Sequence, residues 1–341
     1  MSRKLILGIV VFLLLLATVL GVGAYRVVYG INTQNNAAVY VYIPTAASFA
    51  QVVDSLKQKN IIQNETTFRW VADAMKYPSL VKAGKYRIAP HMSNRALLQK
   101  LRLGEQEPVS LVINNIRFTK DFVHIVDSLT EIQTPELDSL LHDNMYLAQF
   151  GFDSLTVKAM FLPDTYQIFW NTTADAFMQR MYGEYKKFWT PENIALAEKQ
   201  KLTPYEVISL AAIVEEETVH DDEMPEVAGV YINRLKKNRK LEADPTVKYA
   251  VGDFGLRRIL HKHLEYDSPY NTYMYEGLPP GPIRFSSKKA INSVLHASDH
   301  NYMYFCARDD FSQYHNFAVT YEQHQLNALR YRKALNARNI R

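Results

Sequence analysis

The chain has 341 residues, 48% hydrophobic and 22% charged, which is enough apolar content for ordinary cores and too much for a disordered chain. Thirty-nine Lys and Arg against 35 Asp and Glu leave a net charge of +4 with no basic stripe for a phosphate backbone, so nucleic acid is excluded as a partner. The single cysteine, Cys306 beside Phe305, cannot form an internal disulfide and reads as a small buried hydrophobe.

Arg3 and Lys4 precede an uncharged apolar run over residues 5–25. At about 1.5 Å per residue it reaches about 31 Å, the thickness of a hydrocarbon core. A cleaved signal peptide competes with this reading, since residues 21–24 are small, but its apolar region would span about 7 to 15 residues. An uncleaved transmembrane helix is therefore expected. The positive charge ahead of it places residues 1–4 in the cytoplasm and the bulk of the chain outside the cytoplasmic membrane, as a single-pass protein.

Residues 26–37, with Gly30, Asn32, Gln34, Asn35 and Asn36, read as a polar spacer. Val39-Tyr40-Val41-Tyr42-Ile43 then predicts a strand stopped by Pro44, and Phe49, Val52, Val53 and Leu56 fall at helical spacing. A second helix is predicted over residues 68–75, a strand over residues 84–88, and a helix capped by Ser93 that carries Leu97, Leu98 and Leu101. This small α+β unit, residues 38–106, has no cluster of carboxylates or histidines, which favours binding or spacing over catalysis. A bridge over residues 107–159 opens with the strand pattern Val109-Ser110-Leu111-Val112-Ile113 and continues through helices near residues 119–129 and 135–143. Residues 163–166 read as a polar turn and residues 170–189 as a helical stretch. Eleven of the 22 tyrosines lie between Tyr231 and Tyr331, where they either stack on sugar rings or pack a core.

Thr203-Pro204-Tyr205-Glu206 is a helix start, with Thr203 as cap, Pro204 in the first turn and Glu206 completing a capping box. The helix runs into Glu215-Glu216-Glu217. At about 100° per residue Glu216 and Glu217 fall within roughly 80° of Glu206, whereas Glu215 lies roughly 180° away with Ile208, Ala211 and Ala212. A carboxylate on an apolar stripe loses hydration and is held protonated, the condition for a general acid; a helix that ends at Val214 would leave all three glutamates solvated instead. Downstream, Asn233-Arg234, Asp244-Pro245-Thr246, Tyr270-Asn271-Thr272-Tyr273, Gly277-Leu278-Pro279-Pro280-Gly281 and His315-Asn316-Phe317 supply material for a polar cleft. His261, His263 and Glu265, or His220, Asp221 and Asp222, lack metalloprotease spacing, so no metal and no cofactor is expected. The nucleophile elbow, P-loop and dinucleotide fingerprint are also missing.

The ordered series Ile213-Val214-Glu215-Glu216-Glu217-Thr218, Val230-Tyr231-Ile232-Asn233-Arg234-Leu235, Asp244-Pro245-Thr246-Val247, Tyr270-Asn271-Thr272-Tyr273 and Gly277-Leu278-Pro279-Pro280-Gly281-Pro282-Ile283 resembles the endolytic murein transglycosylases of the YceG-like (MltG) family. Phe161-Leu162-Pro163-Asp164-Thr165-Tyr166 and His315-Asn316-Phe317 with Thr320, Tyr321 and His324 extend the likeness over most of residues 160–325. The resemblance implies an α+β fold with one membrane helix, a LysM-like subdomain at residues 38–106 and a catalytic domain at residues 160–335. It further implies cleavage of the β-1,4 bond between N-acetylmuramic acid and N-acetylglucosamine within nascent glycan strands, leaving 1,6-anhydro ends. Glu215 would act as acid and then base, with Glu217 as an auxiliary carboxylate. Asn233, Arg234, Asp244, Thr246, Tyr270, Asn271, Thr272, Tyr273 and His315 would bind substrate or shape the cleft. The implied partners are peptidoglycan strands, the lipid bilayer through residues 5–25, and peptidoglycan synthases. The sequence departs from the family at Asn114-Asn115-Ile116-Arg117, where relatives carry an IPEG-like turn, and at Glu216, where Lys is common. A hydrolytic muramidase, with Glu217, Asp222 or Asp244 as second carboxylate, and a non-catalytic peptidoglycan-binding or cell-division scaffold are the alternatives.

Overall fold

A computed structural model describes residues 3–256 and 259–338. The fold is α+β. Its elements are α1 (Arg3–Tyr29), β1 (Val39–Ile43), α2 (Phe49–Gln58), α3 (Glu65–Ala74), β2 (Gly84–Ile88), α4 (Asn94–Leu103), β3 (Val109–Ile113), α5 (Thr119–Leu129), α6 (Thr134–His142), α7 (Asn144–Ala148) and β4 (Asp164–Ile168). There follow α8 (Ala174–Phe188), α9 (Pro191–Lys199), α10 (Pro204–Glu217), α11 (Met224–Lys236), α12 (Asp244–Val251), α13 (His261–Leu264), α14 (Lys288–Leu295), β5 (Tyr304–Ala307), β6 (His315–Ala318) and α15 (Tyr321–Ala337). The chain forms two compact units: residues 1–110 with 129–132 and 167–173, and residues 111–128 with 133–166 and 174–341.

In the first unit β1 and β2 pair antiparallel, from Val39 opposite Ile88 to Ile43 opposite Gly84. Alternation along both strands turns Val41, Ile43, Tyr86 and Ile88 inward, where they meet Val52, Val53 and Leu56 of α2, Phe68 and Val71 of α3, and Leu97, Leu98 and Leu101 of α4. Ser48, Asn64 and Ser93 cap the three helices, each accepting a backbone N–H from the first turn. Among the described residues α1 is the one helix long and apolar enough to cross a membrane. It does not stop at residue 25, and residues 26–37 are not a free spacer: Val27 and Val28 pack on the core of the unit, Ile31 bridges Ser93, and Thr33 bridges Ile62. Asn32, Thr33 and Asn35 are buried because their amides and hydroxyls have partners inside the unit, a property that composition does not reveal.

The polar turn expected at residues 163–166 opens β4, which pairs with β3 some 50 residues earlier. Tyr166 and Ile168 alternate inward along it. The helix that follows is shorter than residues 170–189 suggest and begins at Ala174.

The core of the second unit is α10, buried over every residue from Val207 to Val214 and surrounded by α9, α11, α12 and α14. Phe122, Phe161, Phe177 and Phe285 form an aromatic cluster in the same unit, with centroids of neighbouring rings 4.5–6.4 Å apart. β5 and β6 form an antiparallel pair, and α15 packs against both.

Candidate active site

Three consecutive glutamates leave the C-terminal turn of α10 at steps of about 100° and enter three different environments. The Glu215 carboxylate accepts the Ser287 N–H at 3.0 Å and lies 3.5 Å from the Arg284 guanidinium. Glu216 receives Arg117 through both oxygens at 2.8 Å and Arg284 at 2.7 Å. Arg284 also donates to Asn115 Oδ1 at 3.0 Å. The bend that carries Asn115 and Arg117 therefore serves the acidic residue at position 216 twice, through Arg117 directly and through Asn115, which holds Arg284.

Glu217 enters a cleft of about 290 Å³. Its Oε1 accepts the Tyr231 hydroxyl of α11 at 2.9 Å. Burial pushes its carboxyl up to about 7, with the charge of Asp244 adding to the rise. The Tyr231 hydrogen bond, His315 and Lys248 oppose that shift without cancelling it. Desolvation is the largest cause of the rise at Glu217. The wheel separated Glu215 because it treated the Glu206 direction as the solvent side along the whole helix. With residues 207–214 buried all round, α10 has no solvent side for that reference to follow.

The opposite wall of the cleft comes from Asp244, the first residue of α12, whose Oδ1 accepts the Tyr273 hydroxyl at 2.7 Å. Tyr304 and Phe305 of β5 and Tyr321 and His324 of α15 provide aromatic surface. The His324 ring stacks at 5.3 Å on Tyr304, and its buried Nδ1 has no partner within the described protein. Burial, followed by the charge of Arg234, holds His324 below the usual histidine range. Sequence reading did not single out Tyr231, Tyr304 or Phe305. Their signal was the tyrosine enrichment of the region, which did not distinguish lining from packing.

Of the remaining expected site residues, Asp244, Tyr273 and Arg234 line the cleft. Arg234 is consumed structurally: its guanidinium donates to the carbonyls of Met303, Lys240 and Leu241 and to Glu242. Thr246, Asn271 and Thr272 are buried beneath the wall. Thr272 Oγ1 accepts the Ala243 N–H and contacts Thr246 Oγ1 at 2.8 Å, while Asn271 donates to the carbonyls of Leu264 and Tyr266 and accepts from Tyr273 N–H. These residues hold the loop that presents Tyr273 and Asp244. Tyr270 packs at a tilt against Tyr249, ring centroids 4.8 Å apart, and is absent from the lining. Asn233 points to the carbonyls of His300 and Tyr302 and borders a separate hollow.

His315 is bound through its ring and its N–H to Glu223, at 2.8 and 2.6 Å. Thr218, which ends α10, donates to the same carboxylate at 2.8 Å. Burial alone would raise Glu223, but these bonds outweigh it and hold the carboxyl below its ordinary value. His315 thus anchors the turn after Glu217 to β6 and acts on Glu217 only through its field.

A half-buried carboxyl raised to about 7, a second carboxylate in the same cleft and walls of tyrosine suit acid-assisted cleavage of a carbohydrate bond. Comparison with known proteins supplies the family. The model of the YceG-like family matches residues 41–330. A protein named endolytic murein transglycosylase from Bacillus subtilis (strain 168) is 27% identical over 297 residues, covering 82% of this chain and 81% of the relative. One of the same name from Streptococcus pneumoniae serotype 2 (strain D39 / NCTC 7466) is 26% identical over 307 residues, covering 81% of this chain and 55% of the longer relative. The crystal structure of a YceG-like protein from Listeria monocytogenes shares the fold, with a TM-score of 0.56 at 24% identity over 86% of this chain and 99% of that one. With the motifs, the architecture and the family match falling on the same stretch, the chain belongs to the YceG-like family.

Proposed function

We propose that this protein is a membrane-anchored endolytic lytic transglycosylase of peptidoglycan, with Glu217, not Glu215, as general acid and then base. The carrying observation is the position of Glu217 in the aromatic cleft with its carboxyl pushed up to about 7 by burial. Glu215 and Glu216 are engaged by Arg284 and Arg117, and neither lines the cleft.

In this reading a glycan strand lies across Tyr304 and Tyr321 with a muramoyl–glucosaminyl bond beside Glu217. Protonated Glu217 gives its proton to the glycosidic oxygen as the muramoyl C1–O bond breaks. The resulting carboxylate, held by the Tyr231 hydroxyl, takes the proton of the muramoyl 6-hydroxyl as that oxygen bonds to C1. The products are a free glucosaminyl 4-hydroxyl and a 1,6-anhydro end. Glu217 finishes protonated and no water is consumed. Tyr273 fixes Asp244 opposite, where its negative charge favours a developing oxocarbenium ion.

Asp244 also supports the hydrolytic reading, because a second carboxylate in the cleft can activate water. The deciding experiment is mass spectrometry of glycan products from uncrosslinked peptidoglycan strands, with E217Q and E215Q assayed beside the wild type. Anhydro products that vanish in E217Q and persist in E215Q support the proposal. Ends heavier by one water favour a muramidase. Loss in E215Q alone returns the acid to Glu215, and cellular function that survives E217Q favours a scaffold. The apolar length of α1 supports membrane anchoring, and Arg3 and Lys4 ahead of its uncharged run support an N-terminus on the cytoplasmic side; contact with peptidoglycan synthases belongs to the proposal through the family alone.

A further inference from the structure

The join between α1 and the small unit has no slack. Asn94, capped into the start of α4, donates to the Val27 carbonyl at 2.9 Å and to Thr67 at 3.2 Å, and accepts from Asn32 at 2.6 Å. The Gly30 N–H closes on the Arg26 carbonyl at 2.8 Å, and a Cβ on Gly30 would meet that oxygen at 2.3 Å, so the chain leaves the helix in one tight step. Tyr25 is the last residue of the uncharged run and Val27 already packs on the core of the unit. Two helical residues rise about 3 Å, whereas the polar layer on each side of a bilayer is about 5 to 7 Å deep. If α1 spans the membrane, the base of this unit lies within the headgroup layer.

The side chains there match that layer. Tyr25 and Tyr29 stack at 4.8 Å and are 65% and 49% exposed, as aromatic residues at a membrane interface are. Arg95 lies over the Tyr29 ring at 5.5 Å. Neither Arg26 nor Arg95 has a carboxylate partner among the described residues. Arg26 borders a hollow of about 360 Å³ whose other walls include the polar side chains of Asn32, Gln63, Asn64, Thr67 and Asn94; Arg95 does not line it but follows Asn94 at its edge.

We propose that this hollow binds one phospholipid headgroup of the outer leaflet of the cytoplasmic membrane, with Arg26 and Arg95 holding its phosphate, so that the small unit is seated on the bilayer surface and not suspended above it. The proposal rests on the reading of α1 as a membrane span and is independent of the chemistry at Glu217.

The test titrates the full-length chain, in micelles of an uncharged detergent, with phosphatidylglycerol and follows bound lipid by native mass spectrometry. Saturable binding of one lipid is expected, weakened about fivefold per arginine removed and roughly 25-fold in R26Q/R95Q. R26K/R95K should retain most of the binding. Both arginines are exposed, and an unchanged melting temperature confirms that the variants fold. Equal binding in R26Q/R95Q, or lipid adducts without saturation, would overturn the proposal, as would displacement of the lipid by soluble glycan strands, which would reassign the hollow to glycan. Carbonate extraction of membranes separates the two levels: a chain released into solution ends the span reading, while a chain that stays in the bilayer yet binds no headgroup ends only this inference.

Discussion

Two clusters of charge flank one turn of α10 and use the same residue type in opposite ways. On one side Glu215 and Glu216 are tied to Arg284, Arg117 and the Ser287 N–H, so their carboxylates are spent on holding α10 to the loop before α14 and to the bend that carries Asn115 and Arg117. On the other, Glu217 has the Tyr231 hydroxyl as its hydrogen-bond partner and faces open space. The difference teaches that paired arginines hold a carboxylate in place, whereas burial with an incomplete set of partners raises a carboxyl toward the range where it can exchange a proton.

The sharpest way to break this comparison is to exchange the two sides. E217Q should lower the rate of glycan cleavage by about 10³-fold, within the 10²- to 10⁴-fold range of a lost general acid, while E215Q should retain most of it; product mass spectrometry reads both. Stability should move the other way. Between the ordinary value of 4.5 and about 7 the native state keeps a proton on Glu217 that the unfolded chain has released. Wild-type stability therefore falls as pH rises through that window, and E217Q, lacking this slope, should melt above the wild type at pH 8.

The arginine side carries the next largest effect. R284M leaves Glu215 and Glu216 short of partners and should destabilise the fold by about 3 kcal/mol, read in a urea titration. A smaller change separates field from contact. Y231F removes a bond that favours the charged form of Glu217, so its carboxyl should rise further. The high-pH limb of kcat/KM, expected near pH 7 in the wild type, should then move up by about one unit. The smallest expected effect lies at the far end of the helix. T203A breaks the box in which Thr203 N–H and Oγ1 both donate to Glu206, each at 2.7 Å, and should cost about 1 kcal/mol without moving the pH profile.

Local chemistry made much of the fold legible. Ser93 and Thr203 cap helices where the sequence says they should, and β1, β2 and β3 follow β-branched and aromatic alternation. Contacts between distant positions were not legible. Residues 163–166 have turn chemistry in isolation and became the opening of a strand because β3 offered a partner. The polar stretch after α1 looked like a spacer because a single sequence does not show that Asn32 and Asn94 bond each other. At the site, motif order located the helix, Asp244 and Tyr273, but the different surroundings of the three adjacent glutamates depend on Arg117 and Arg284, 99 and 68 positions away from Glu216.

That choice is a matter of rotational phase. Because α10 is enclosed on every side, its neighbours fix the direction in which each residue of its last turn must point. Inserting one residue between Val207 and Val214 would turn the triplet by about 100° and carry Glu216 from the arginines toward the cleft as Glu217 leaves it, whereas deleting one would bring Glu217 to the arginines and Thr218 to the cleft. The helix works as an indexed shaft: its length between the Thr203 cap and the Thr218 stop sets which carboxylate faces the cleft.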